Sequence, residues 1–392
     1  MLFKKLFGHQ PESSAKEAAR IQENVSVHQE EKSNEMTAVY HLVVLDESGS
    51  MSCVTEQTIS GCNETIQTIR IMQENNKDTQ KHYVSIYLFE SGKSRYIVHN
   101  LPVHEAKNIT HKDYCPNGCT PLFDALGFTL TELKEIMDQP ETLGYVTIIT
   151  DGEENSSRKY SLSMVRELID ELKKKDVIFS FIGANIDAAE YAKSLNIGNS
   201  MQFVQDDEGT RAMWERERLG KMRSGARMSF MKKFAKEEFD CCFSACENSG
   251  HYYKIGDIDQ KRVTPASVDK LKKNEIFVFG SNVNGLHNGG AAKYAATHFG
   301  AIIGQAEGLQ GQSYAIPTDG VTEEELYQAI CRFCDFAKSH PELTFYVIAI
   351  GCGHAGYTPY IVAPMFRNAI KLKNVKLPME FWDFLSSDNF VI

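Results

Sequence analysis

No uninterrupted apolar run in the 392 residues approaches the roughly 18 that a membrane-spanning helix needs, so a transmembrane protein is excluded. The amino terminus, MLFKKLFGHQPESS, also lacks an apolar stretch of about 7–15 residues, and secretion by signal peptide is not expected. Basic residues are in deficit: 42 Lys and Arg stand against 52 Asp and Glu, a formal charge of −10 at pH 7. That balance argues against bulk nucleic-acid binding, while leaving room for a local basic patch. Zinc-type cysteine spacing is missing as well. Among the ten cysteines, the pairs Cys115/Cys119 and Cys331/Cys334 lie over two hundred residues apart and belong to different segments. Reduced structural thiols in a cytoplasmic protein are the expectation. What is present is ordinary globular composition, 42% hydrophobic and 24% charged, which excludes a largely disordered chain. At about 150 residues per domain, the length allows two or three domains.

Residues 1–36 are polar without a sustained apolar period and read as a flexible arm. From Val39, apolar strands rich in β-branched and aromatic residues alternate with helical patterns. YHLVVLD (40–46), YVSIYLFE (83–90), GYVTIITD (144–151) and VIFSFIGA (177–184) are the strands. Near-continuous apolarity implies burial on both faces, and the alternation implies a parallel sheet. Residues 207–260 change character, with arginines and lysines concentrated between 211 and 236; they read as a solvated, basic-tinged helical linker or a contact surface for an acidic partner or nucleic acid. A second segment, 261–392, repeats the alternation with strands NEIFVFGS, QSYAIPT and LTFYVIAIGCG and a closing helix over PYIVAPMFRNAIKLK. The fold class is therefore α/β, with two three-layer domains (37–206 and 261–392) built on mostly parallel sheets.

HLVVLDESGSM places Asp46, Ser48 and Ser50 just past a buried strand. In open α/β sheets, ligands bind in the crevice outside the carboxyl ends of the strands. PNGCTPLFDAL puts Thr120 in a glycine-containing loop that opens a helix, and TIITDGEEN puts Asp151 directly after another strand. Two carboxylates and three hydroxyls make an all-oxygen set suited to a hard cation that keeps some waters, Mg²⁺ first and Mn²⁺ second. Glu153 and Glu154 read as exposed loop charge beside it, and Asn185 and Asp187 as helix-capping residues.

In order and context, these five residues resemble the metal-ion-dependent adhesion site of von Willebrand factor A domains, over roughly 37–206. The resemblance implies that both serines bind the metal directly, that Thr120 binds directly or through water, and that the aspartates act mainly through water. It also implies an open coordination position, completed by an acidic side chain of a protein partner.

The second segment carries FGSNVNGLHNGGAAKYA between a strand and a helix, with Gly280, Ser281, Asn282, His287, Gly289, Gly290 and Ala291. A further glycine loop, Gly351, Cys352, Gly353, His354, Ala355 and Gly356, follows the last strand. Glycines admit an anion close to the backbone, and a helix start supplies oriented N–H donors, so two such loops make a clamp wide enough for a diphosphate. Neither loop fits G-x-x-x-x-G-K-[ST], which disfavours a P-loop NTPase. GCGHAG matches a dinucleotide string but sits after the final strand instead of in the first βα turn.

These loops and the intervening strand QGQSYAIPT resemble a macrodomain, the ADP-ribose-binding α/β module, over about 265–385. The resemblance implies that Asn282 faces the distal ribose and that the two glycine loops hold the diphosphate. The family's adenine-holding aspartate has only a distant counterpart, in Gly256-Asp257-Ile258. The resulting expectation is a metal-dependent protein-binding adaptor with an ADP-ribose or related nucleotide reader. Two alternatives stand beside it. One is a hydrolase that removes ADP-ribose from a recruited target, with Asn282 and His287 aiding attack by water. The other is a scaffold with a vestigial pocket. Cys352 between two glycines is either a reactive thiol or a small buried residue.

Overall fold

The computed structural model describes residues 36–235, 252–253 and 258–385. The expectations for the arm before Met36, for Cys241, Cys242 and Cys246 and for Gly256-Asp257 lie outside the described residues.

The first sheet contains β1 (Thr37–Asp46), β2 (Gln80–Phe89), β3 (Arg95–Pro102), β4 (Thr142–Thr150), β5 (Val177–Ala184) and β6 (Asn199–Phe203). Its order is β3-β2-β1-β4-β5-β6, parallel throughout except for β3, which runs antiparallel on β2. On β1 the period-two alternation sends Leu42 and Val44 to one core and Val43 and Leu45 to the other. A strand buried on both faces needs helices on both. Helix α1 (Thr55–Asn75) covers the second face, while α2 (Leu122–Ile136), α3 (Leu162–Lys173) and α4 (Ala188–Ser194) cover the first.

The second sheet contains β7 (Glu275–Asn282), β8 (Gly308–Gln310), β9 (Ser313–Asp319), β10 (Thr344–Val347) and β11 (Val375–Lys376), in the order β11-β10-β7-β9-β8. Only the β8–β9 pair is antiparallel. Helix α6 (Gly290–His298) packs on Phe277 and Phe279 of β7. On the other face, Ile276 and Val278 meet α7 (Glu323–Ser339). Thr322 and Glu325 close a capping box at the start of α7, which fixes where that helix begins.

The sequence pattern locates the strands it names but misses β3, β6, β8, β11 and the whole of α1. Three of the residues that α1 buries are threonines, Thr58, Thr65 and Thr68, which blur an apolar period. The hydroxyls of Thr65 and Thr68 donate to the carbonyls of Gly61 (2.9 Å) and Glu64 (2.8 Å), so their methyl groups can face the core. Two boundaries also move. LTFYVIAIGCG is a strand only over Thr344–Val347, and the closing helix is one turn at α8 (Pro359–Val362) followed by a 3₁₀ stretch over Ala363–Lys371.

The larger correction concerns the linker. Residues 207–234 form one helix, α5 (Asp207–Phe234), that buries Glu217, Lys221, Arg223 and Arg227. It is an internal element, not a solvated one. Its Trp214 lies where any side chain on Gly61 would sit, so α1 and α5 pack at contact distance. Its Met228, Phe230 and Met231 share a core with β4 residues Leu143 and Tyr145 and with Ile330 and Phe333 of α7. Two of these charges are paired with each other. Lys221 Nζ lies 3.2 Å from Glu217, and the Thr147 hydroxyl donates to that carboxylate at 2.7 Å. A short α9 (Met379–Leu385) completes the chain's described residues; its Asp383 carbonyl accepts from Arg223.

Two histidines extend this buried polar layer. His82 Nε2 faces the Gln80 side-chain carbonyl at 3.0 Å, so it is the donor; its Nδ1 then accepts from His41 Nε2 at 3.0 Å. Burial pushes the His82 pKa down to about 3, and burial, Lys221 and His82 push His41 well below its ordinary range. The unfolded chain therefore binds protons near pH 6.5 that the folded chain refuses. Stability is full above pH 6.5 and is lost as pH falls toward 3, by up to about 1.4 kcal/mol per pH unit for His82. Urea midpoints at pH 7.5, 6 and 5 should show this slope, flattened in His82→Gln. An unchanged slope in that variant would reject the assignment.

Candidate functional site

Each sheet reverses its strand order next to its first strand. In the first sheet, β2 and β4 flank β1, and the crevice between the ends of β1 and β4 is the switch point at which α/β proteins bind ligands. Asp46 ends β1, and Asp151 follows β4. Asp46, Ser48, Thr120 and Asp151 are buried, and Ser50 is exposed. The Ser48 N–H donates to Asp46 Oδ1 at 2.7 Å and fixes the turn. The Ser50 hydroxyl donates to Asp151 Oδ1 at 2.8 Å, with the Ser48 hydroxyl 3.1 Å from that of Ser50. The Thr120 loop is tied to this turn because the Gly49 N–H donates to the Gly118 carbonyl at 3.1 Å. The Thr120 hydroxyl itself lies beside Gly152, the residue after Asp151.

Burial pushes the Asp46 carboxyl up to about 6, against hydrogen bonds from Thr150 and Ser48, and the charge of Asp151 raises it further. Two carboxylates held together in a dry crevice are an unfavourable arrangement that a cation relieves. The donors are all oxygens, so the residues fit a hard divalent ion. Among the described residues, no cluster of three or more His, Cys, Asp or Glu could hold a metal.

Sequence reasoning missed several side chains around this crevice. Thr150 donates its hydroxyl to Asp46 Oδ2 at 2.6 Å. Gln205, just after β6, donates to Asp151 Oδ2 and to the Ser50 carbonyl, and Asn185 donates to its Oε1 at 2.6 Å. Glu47 is buried, bridges to Arg95 at 2.6 Å and accepts from the Cys115 N–H, which pins the loop leading to Thr120. No local pattern marks any of these three. Glu154 is not idle loop charge: it accepts from the N–H groups of Phe123, Ser156 and Ser157. Asp187 caps α4 as expected, accepting from Ala189 and Glu190.

In the second sheet, β9 and β10 flank β7, and both glycine loops leave the carboxyl ends of β7 and β10. Between them lies a cleft of about 570 Å³ lined by Gly280, Ser281, Asn282, His287, Gly289, Gly290 and Ala291 on one side. Gly351, Gly353, His354 and Ala355 line the other side, but Cys352 and Gly356 do not. Burial pushes the Cys352 thiol up to about 12, which disfavours its thiolate. Asn282 Oδ1 accepts from the N–H groups of Asn284 (3.2 Å) and Leu286 (3.0 Å), which leaves its amide hydrogens as the available donors. His287 is 4% exposed, adopts a left-handed φ of 50° and has no hydrogen-bond partner on either ring nitrogen. Helix α6 opens on Gly290 with no side-chain cap, so its first N–H groups stay unsatisfied.

No protein-family model matches the chain, and no curated protein sequence does. Solved structures do. The manganese-loaded Plasmodium vivax TRAP protein is similar at 19% identity and a TM-score of 0.31, over 46% of this chain and 72% of that one. The SpRpn10 VWA domain is similar at 8% identity and a TM-score of 0.33, over 45% of this chain and 94% of that domain. The pilus adhesin SpaC from Lactobacillus rhamnosus GG, in its open conformation, is similar at 14% identity and a TM-score of 0.36. That match spans 47% of this chain and 30% of the adhesin. No helix among the described residues is long and apolar enough to cross a membrane.

Proposed function

We propose that the chain is a metal-dependent protein-binding adaptor that also reads ADP-ribose or a related nucleotide. Its functional units are 37–206 and 261–392, joined through 207–260. The observation that carries the first unit is convergence: two serine hydroxyls from one turn meet Asp151 across the crevice from buried Asp46. Asp46, Ser48, Ser50, Thr120 and Asp151 would hold Mg²⁺, with Mn²⁺ as the alternative. The cation would supply a positive centre for an acidic side chain of a protein partner. The remaining side chains do positioning work: Thr150, Gln205 and Glu47 hold the carboxylates and loops in place. Free thiols at Cys53, Cys62, Cys115, Cys119, Cys331, Cys334 and Cys352 suit the reducing cytoplasm, where we place the protein.

The second unit rests on His287. A buried imidazole with two unpartnered nitrogens costs roughly 1–3 kcal/mol for each group left unsatisfied, unless a ligand meets it. The open N–H groups at the start of α6 border the same cleft and suit a diphosphate. The same imidazole also favours the rival reading, an ADP-ribosyl hydrolase in which Asn282 and His287 orient the attacking water. Calorimetric titration of the full chain with ADP-ribose, NAD and ATP tests the cleft, followed by incubation with an ADP-ribosylated protein. Micromolar heat with ADP-ribose and no turnover supports the reader, and time-dependent release of ADP-ribose supports the hydrolase. No heat with any nucleotide would remove both.

A further inference from the structure

The cleft contains a carboxylate that neither glycine loop contributes. Asp319 ends β9, on the far side of β7 from β10, and lines the same cavity. A β-bulge brings it there. Ser281 pairs with Pro317, but Asn282 pairs with Asp319, so Thr318 is the extra residue and the alternation of side chains is reset at the strand end. Thr318 and Asp319, consecutive in sequence, therefore both border the cleft. Thr318 is buried, with its hydroxyl on the Ser281 carbonyl at 3.3 Å, and would collide with any side chain at Gly280. Asp319 is half-buried, and among the described residues no hydrogen bond or ion pair engages its carboxylate. Among the described residues, no lysine or arginine lines the cleft.

Neighbouring strands are about 4.8 Å apart, so the end of β9 lies one strand spacing from the β7 loop and about two from the β10 loop. A diphosphate held between the two glycine loops would leave its attached sugar within reach of that strand end. A carboxylate there accepts hydrogen bonds from vicinal hydroxyls and repels further phosphate. We propose that Asp319 is the specificity residue of the cleft, accepting the hydroxyls of a ribose joined to the diphosphate and discriminating against triphosphates. This assignment rests on the nucleotide-binding reading of the cleft.

The test compares ADP-ribose with ATP on the full chain, as wild type, Asp319→Asn and Asp319→Ser. Unfolding midpoints matching wild type establish that both variants fold. Wild type should prefer ADP-ribose. Each variant should lose ~10- to 100-fold in ADP-ribose affinity, the range for a charged hydrogen bond. ATP affinity should stay constant or rise, so the preference collapses. If wild type binds ADP-ribose and both variants keep its preference, the Asp319 assignment is wrong and the cleft reading survives. If wild type binds neither ligand, both fall together.

Discussion

Asp46→Ala should abolish divalent-cation binding, weakening Mg²⁺ affinity on the order of 100-fold or more. Loss of a single residue that acts on a metal through an outer contact already costs 10–100-fold, and Asp46 also carries one of the two negative charges of the proposed set. Its removal takes away one of the two charges that make the crevice attractive to a cation, and it frees the Ser48 N–H that fixes the turn. Two measurements check this. Calorimetric titration with MgCl₂ and MnCl₂ should show binding in wild type and none in the variant. Saturating cation should also raise the wild-type unfolding midpoint, since a ligand at 100 times its Kd stabilises by about 2.7 kcal/mol. A variant that keeps the full cation-dependent shift would refute the site. Asp46→Asn separates charge from shape, because it retains an acceptor for Ser48 and still should not bind.

Lys221→Ala should destabilise the folded chain by roughly 3–5 kcal/mol, the cost of leaving a buried carboxylate without its counter-charge. Both partners are almost wholly inaccessible, with side chains 2% and 1% exposed. Glu217 has other partners, the hydroxyls of Thr147 at 2.7 Å and Tyr253 at 2.9 Å. These are neutral donors and cannot replace an ammonium. Lys221 also sits 5.5 Å over the Tyr145 ring, a contact that alanine forfeits. The double variant Glu217→Gln/Lys221→Met removes both charges and should recover much of the loss, since an apolar replacement of a buried pair is often neutral. Denaturant midpoints for the two singles and the double complete the cycle. A Lys221→Ala midpoint equal to wild type would mean that the pair contributes nothing to stability.

Much of the architecture is legible in local windows of sequence. The apolar runs that become β1, β4, β5 and β7 are long and β-branched, and the two glycine loops follow strands wherever the pattern places them. The five oxygen-bearing residues at the first crevice are legible for the same reason: each lies within a few residues of a strand end or a helix start. Helix α1 was not legible, because the threonines on its buried side look polar in the sequence, although Thr65 and Thr68 satisfy their hydroxyls on its own backbone. Helix α5 was misread in the opposite direction. Its mixed charges describe a solvated surface unless partners for them are known.

The shortage of basic residues argues against nucleic acid from composition alone, and the absence of long apolar runs argues against a membrane helix. Sequence by itself also determines the strand periods, the turns that need glycine and the candidate metal residues, since these depend on chain-local geometry. Tertiary structure alone decides which charges go inside. Glu217 and Lys221 are tolerated only because Thr147 and Tyr253 arrive from distant segments. Gln205 and Thr150 reach the first crevice, and Asp319 the second, for the same reason. The desolvation cost of a polar group is a property of everything packed around it, and no window of sequence contains those neighbours.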